Sequence, residues 1–408
     1  MSAGPAQAIL SARSAERLRR GALHVARTEI VRGPTDSSDV VELRDERGRT
    51  LGSGLWAAEG SLAVRLWDRE GRGLDPELLS ARIAAADARR RQLFSGTARD
   101  AYRVVHGEAD LLPGLFVDRY GDAAVIQTVT AAMDRRKPQL AALLAQVLGV
   151  SLVVCRDDGS GRDLESLPRT RGVLLGPERE SAPVRFHDAG SLMEADLLHD
   201  RKTGSFLDQQ ENHAAVADYA GRFFGGAPEA RALDCFTYHG GFALALARAG
   251  LSVVACDEDP DAIARARKNA ALGGGKVDFR VANAFDLLRM LESSGARFSA
   301  VVIDPPALAK RGRAAGGGRP DDSAWERAYK ELNLRAMRLL APGGLLCTCS
   351  CSGRVSDGDF GAIVEAAARD VGRPLQLIEK RGAGRDHPVL VGMPESGYLK
   401  CWLLRAVD

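Results

Sequence analysis

The sequence lacks a dominant charge: 56 Lys and Arg stand against 54 Asp and Glu, a formal net charge of +2. Global charge therefore does not call for a polyanionic partner, although local patches still can. It also lacks any run near the roughly 20 apolar residues of a membrane span. The opening stretch, MSAGPAQAILSARSAERLRRG, has no apolar core followed by a small-residue cleavage site. No membrane partner is expected, and the cytoplasm is the expected compartment. Cysteine is sparse, with seven in 408 residues. An odd, scattered set fits free thiols in a reducing compartment rather than a disulfide framework. No cysteine pair at zinc-ligand spacing is matched by a second pair, so no metal site is expected. What remains is ordinary globular composition, 45% hydrophobic and 27% charged, at a length that calls for two or three domains.

Along the chain the first 35 residues or so are polar and rich in arginine. Arg13, Arg17, Arg19, Arg20, Arg27 and Arg32 face only Glu16 and Glu29. Strand signals follow. VVEL runs through the turn-like RDERGRT to LAVRLW, where Leu62, Val64 and Leu66 alternate with Ala63, Arg65 and Trp67. This predicts a small β module whose basic residues face either a polyanion or water. Residues 75–94 read as a linking helix with Leu78, Ile83 and Leu93 on its apolar stripe. Residues 102–200 are mainly β, with a hairpin turning at Tyr120-Gly121-Asp122, so a central α+β domain is expected. From about residue 214 short apolar strands alternate with helices, the pattern of a parallel sheet covered on both faces. The glycine-rich, basic stretch RGRAAGGGRP at 311–320 reads as a mobile loop.

In a doubly wound sheet ligands bind beyond the carboxyl ends of the strands. The first strand ends at Asp234 and runs into CFTYHGG, where Gly240 and Gly241 allow close backbone approach. The second ends at Asp257, placed to hold two ribose hydroxyls. The third ends near Asn283, which can accept from an adenine amino group. A dinucleotide or S-adenosylmethionine could bind such a crevice. The dinucleotide version wants G-x-G-x-x-G against a pyrophosphate, and that pattern is missing from the first turn.

The fourth strand ends in Asp304-Pro305-Pro306. Two prolines fix the backbone and remove two donors, leaving a rigid ledge beside an acid. Enzymes that methylate exocyclic amines place an aromatic next, to stack a flipped base. Here Ala307 follows. The next strand carries Cys347, Cys349 and Cys351 in CTCSCSG. Alternation puts all three on one face until the strand ends. Cys347 and Cys349 read as small buried core residues. Cys351, at the carboxyl end, reads either as another buried thiol or as a nucleophile beside Asp304. A thiolate adding to C6 of cytosine makes C5 nucleophilic enough to take a methyl group, and a carboxyl group at the pyrimidine edge would stabilise the developing charge.

At this point the chain resembles the bacterial large-subunit ribosomal RNA cytosine-5 methyltransferases that carry an N-terminal PUA domain. The matching stretches are YRVVHGEADLLPGLFVDRYGD, KTGSFLDQQENH, LDCFTYHGGFALALARAG, DPPALAK, YKELNLRAMRLLAPGGLLCTCSCSGRVSDGDF and DHPVLVGMPESGYLK, across most of 102–402. The resemblance implies a multidomain chain: a PUA-like RNA-binding β-barrel at 1–75, a linker helix and central α+β domain at 76–200, and a Rossmann-like class I methyltransferase domain at 201–408. It implies Cys351 as nucleophile and Asp304 as the acid, with Pro305, Pro306, Lys202 and Arg354 toward the substrate. It implies S-adenosylmethionine as cofactor, held by Asp234, Tyr238, Gly240, Gly241, Asp257, Asn283 and Asp304. The segment KTGSFLDQQ resembles a cofactor lid, which adds Lys202, Phe206, Asp208 and Gln209. Two positions depart from the family: Asn283 stands where an Asp is usual, and Gly353-Arg354 follows the nucleophile where histidines are common. The implied partner is 23S ribosomal RNA, naked or in a large-subunit assembly intermediate, and a homodimer is compatible. Two rivals stand beside this reading: guanine methylation on the same scaffold, which needs no thiol, and an RNA-binding assembly factor without turnover.

Overall fold

The computed structural model describes residues 6–34, 38–273, 276–309 and 322–408, so the glycine-rich stretch 311–320 lies outside the described residues. The chain divides into two compact units. One comprises Met1–Phe186, Ala195–Phe206 and Arg385–Pro394. The other comprises His187–Glu194, Leu207–Gly384 and Glu395–Asp408. The division differs from the expected one, because 1–75 and 76–200 share a unit and a late segment returns to it. Asp386 explains the return: its carboxylate accepts from the Arg103 amide at 2.9 Å and Arg99 at 3.1 Å, while its carbonyl accepts from Arg90.

The first unit begins with a six-stranded sheet in the order His24–Ala26, Leu62–Asp68, Thr50–Trp56, Val40–Asp45, Gln7–Leu10, Ile30–Arg32. Its two outer strands are joined by the three-residue 3-10 turn Arg27–Glu29, which brings the edges together as a barrel requires. Leu10, Leu18, Val25, Val41, Leu43 and Val64 fill it. A five-stranded sheet follows, with Ala123–Thr128 and Leu152–Asp157 parallel and its other pairings antiparallel. The hairpin turns tightly, Tyr120 pairing with Ala123 across Gly121-Asp122. The linking helix runs Pro76–Leu93, capped by Asp75 through the Leu78 amide at 2.7 Å. Its buried face is Leu79, Ile83 and Ala86: of the expected stripe Ile83 is buried and Leu78 half-buried, but Leu93 is exposed, since the face turns toward Arg90, which is buried in an ion pair with Asp110.

The second unit is built on one seven-stranded sheet. In chain order its strands are β1 (Arg231–Cys235), β2 (Ser252–Asp257), β3 (Val277–Val281), β4 (Phe298–Ile303), β5 (Leu340–Ser350), β6 (Leu375–Arg381) and β7 (Lys400–Ala406). The spatial order is 3-2-1-4-5-7-6, parallel except for β7, which runs antiparallel between β5 and β6. Apolar runs such as Val301, Val302 and Ile303 are buried on both faces, as helices on each side demand. The order reverses between β1 and β4, and that switch point opens the crevice at the strands' carboxyl ends.

Candidate active site

The turn after β1 is locally strained. Phe236 and Tyr238 take left-handed conformations at φ 65° and 48°, and Gly240 follows at φ 91°. Three contacts hold it. The Thr237 hydroxyl donates to Asp234 Oδ2 at 2.6 Å, the Thr237 amide to the Cys256 carbonyl, and the Tyr238 amide to Asp257 Oδ2 at 3.0 Å. Asp257 thus ties the turn to β2. Gly240 can supply its backbone angle without strain. Gly241, which begins the helix Gly241–Arg248, is small for another reason: a Cβ there would lie 2.2 Å from Cε1 of His213. That ring is buried, paired with Asp188 at 2.9 Å and packed edge-on against Phe242. Burial opposes the imidazolium, yet the Asp188 carboxylate raises the His213 pKa.

Asp234 is fully enclosed. Burial pushes its pKa up to about 7, against the Thr237 hydroxyl and the charge of His213. Oδ2 is engaged by Thr237, whereas Oδ1 is buried with no hydrogen-bond partner among the described residues. An orphaned carboxylate oxygen beside a strained, glycine-bearing turn is suited to a cofactor that brings a donor or a positive charge. Asn283 caps the helix Ala284–Ser293 through the Phe285 amide at 3.0 Å, leaving an acceptor lone pair on Oδ1. Its amide nitrogen lies 3.5 Å from Glu258, an acid beside Asp257 that the sequence reading missed.

At the end of β4 the Asp304 carboxylate accepts from Gln209 Nε2 at 2.9 Å, and Gln209 Oε1 accepts from Asn212 at 2.6 Å. Gln209 therefore touches the acid itself. Pro305 is buried and Pro306 exposed, and the Cys351 thiol points at the Pro305 carbonyl at 3.9 Å. β5 ends at Ser350, so Cys351 lies one residue past it, half-buried, off the face that Cys347 and Cys349 share. The flanking serines fix the loop. Ser350 donates to Tyr329 at 3.0 Å, and Ser352 Oγ accepts from the Ala309 amide at 3.2 Å. Lys400 spans the loop from β7, its ammonium donating to the carbonyls of Ser352 and Val355 at 2.7 Å each and of Tyr398 at 2.9 Å. Burial lowers the Lys400 pKa, and the nearby Cys351 and Asp357 oppose the fall.

The expected residues Lys202 and Phe206 lie in the other compact unit, where the Lys202 ammonium sits 4.1 Å over the Phe206 ring. Asp208 accepts from the Tyr398 hydroxyl. Arg354 is exposed. Besides Glu258, the sequence reading missed Asn212, His213, Lys400 and Cys401. The last two come from an antiparallel strand some fifty residues beyond β5, and no motif spacing signals such pairing. Cys401 Sγ lies 3.6 Å from Cys347 Sγ, which is 3.9 Å from Cys349 Sγ. Burial pushes the Cys349 thiol well above its ordinary pKa, the opposite of what a nucleophile needs.

Comparison with known proteins bears on the fold and the family. Residues 8–69 match the model of the PUA-like domain family. A Streptococcus mutans structure described as a SAM-dependent methyltransferase superposes with a TM-score of 0.80 at 16% identity, over 98% of this chain and 100% of that one. A SAM-dependent methyltransferase from Agrobacterium tumefaciens superposes at 0.53 with 19% identity, over 77% and 92%. The fold is that of the class I, Rossmann-like methyltransferases, preceded by a PUA-like domain. Among sequences, the ribosomal RNA large subunit methyltransferase I of Tolumonas auensis is 33% identical over 92% of this chain and 93% of its own length. Its Shewanella amazonensis namesake is 35% identical over 91% of each. The chain belongs to the ribosomal RNA large subunit methyltransferase I family.

Proposed function

We propose that this protein methylates C5 of a cytosine in 23S ribosomal RNA, using S-adenosylmethionine and a transient bond between Cys351 and C6. The observation that carries the reading is the Cys351 thiol held beyond β5 against the Pro305 carbonyl, next to Asp304. Bound S-adenosylmethionine supplies an electrophilic methyl group. Asp234, Tyr238, Gly240 and Gly241 would form the floor of its site, with Asp257 and Glu258 toward a ribose and Asn283 toward an adenine.

Cys351 acts as the thiolate. Addition to C6 breaks the C5–C6 double bond and makes C5 the nucleophile. Asp304, oriented by Gln209 and Asn212, faces the pyrimidine edge and offsets charge that builds there. After C5 is methylated, loss of its proton restores the double bond and expels Cys351. Pro305 and Pro306 would hold a rigid ledge for the base, and exposed Arg354 would meet RNA phosphate. The PUA-like domain, with Arg13, Arg17, Arg19 and Arg20, supplies further RNA contacts.

The test is methylation of ribosomal RNA from cells lacking the enzyme, with labelled S-adenosylmethionine and identification of the labelled nucleoside. 5-Methylcytidine that disappears in Cys351→Ala is expected. Methylguanosine, or label indifferent to Cys351, would overturn the mechanism. Tight cofactor binding without transfer to naked or assembled RNA would favour a non-catalytic assembly factor.

A further inference from the structure

The thiols of Cys347, Cys349 and Cys401 are all 0% exposed, and their sulfur atoms lie within 4.8 Å of one another. No motif joins them. Cys347 and Cys349 are alternate residues on one face of β5, and Cys401 of β7 pairs directly opposite Cys349. The cluster therefore rests on two hydrogen-bonded strands, which fix its shape more firmly than loops could. Thiolates about 2.3 Å from a common ion sit about 3.8–4.0 Å apart, in tetrahedral or trigonal geometry. Two of the three sulfur–sulfur separations, 3.6 and 3.9 Å, lie near that spacing, and the third is within 4.8 Å. We propose that Cys347, Cys349 and Cys401 form a closed, sulfur-only site for one soft monovalent cation, copper(I).

The ligand set selects the ion. Three thiolates are soft donors, which favours copper(I) over hard cations. Zinc prefers four ligands, and among the described residues no His, Asp or Glu joins the three sulfurs. On binding, each Sγ–H bond is replaced by an Sγ–Cu bond and its proton passes to solvent, with no change in oxidation state. The bound ion would tie β5 to β7 just before Cys351 and beside Lys400. The proposal does not depend on what Cys351 does.

The experiment loads the full-length, reduced protein with copper(I) without oxygen, by refolding and by direct titration, against a chromophoric copper(I) chelator. Expected are one tightly held ion per chain, three sulfur neighbours by X-ray absorption, and a raised unfolding temperature. Cys351→Ala should retain the ion. Cys347→Ser and Cys401→Ser should each bind at least tenfold more weakly, with Cys401→Val as a second substitution should serine prevent folding. Absence of stoichiometric copper in the wild type would overturn the proposal. So would fewer than three sulfur neighbours, loss of copper in Cys351→Ala, or zinc held more tightly than copper.

Discussion

Replacing Asp234 with asparagine tests whether this carboxylate is kept for a ligand at the expense of stability. Burial raises its pKa from the ordinary 3.8 to about 7. Because the folded value exceeds the unfolded one, the group's stabilising contribution is fully present below about pH 4 and is lost as pH rises through about 7. The difference corresponds to about 4 kcal/mol at most above pH 7. Local relaxation reduces this to about half. The asparagine keeps an acceptor for the Thr237 hydroxyl but leaves one buried amide donor unpaired, a cost of about 1 kcal/mol. Asp234→Asn without cofactor should thus be more stable than wild type at pH 8 by about 1 kcal/mol, or roughly 2–4 °C in a unit of this size. At pH 5.5 the gap should shrink or reverse. The assay is thermal unfolding at both pH values, with and without S-adenosylmethionine, which should raise the wild-type midpoint more than the variant's. A variant less stable than wild type at pH 8, or a gap independent of pH, would refute the reasoning.

Lys400→Met removes two charge-assisted bonds to the nucleophile loop and a third to the Tyr398 carbonyl, and leaves the Val355 carbonyl in need of a donor. A loss of about 2–4 kcal/mol is expected in thermal unfolding. Gly241→Ala forces a methyl group to within 2.2 Å of the locked His213 ring, and overpacking of about 1–3 kcal/mol should appear as a lower midpoint. The raised pKa of His213 means its pair with Asp188 stabilises fully below about pH 6.5 and less as pH rises through the folded value. Asp188→Asn should flatten that part of the stability–pH curve, measured by urea unfolding.

Much of the catalytic unit is legible in the chain. Its buried parallel strands are short apolar runs, and each carboxyl end is marked by a polar residue or a turn: Asp234, Asp257, Asn283, Asp304. Period and punctuation are local properties, so sequence carries them. The helix Gln210–Phe224 escaped because it precedes the first strand and mixes polar with apolar residues on both faces. The roles of His213 and Lys400 escaped because each is defined by a partner far along the chain.

The cysteines show where the division falls. By itself the sequence determined that Cys351 falls at the carboxyl end of one strand and an Asp-Pro-Pro turn at that of another, and that Cys347 and Cys349 share a strand face. Only the tertiary structure decided that β7 inserts antiparallel beside β5. That pairing carries Cys401 to the other two thiols and Lys400 to the loop behind the nucleophile. Strand order in a sheet is a non-local choice, made by how the finished layers bury their surfaces, and no spacing along the chain encodes it.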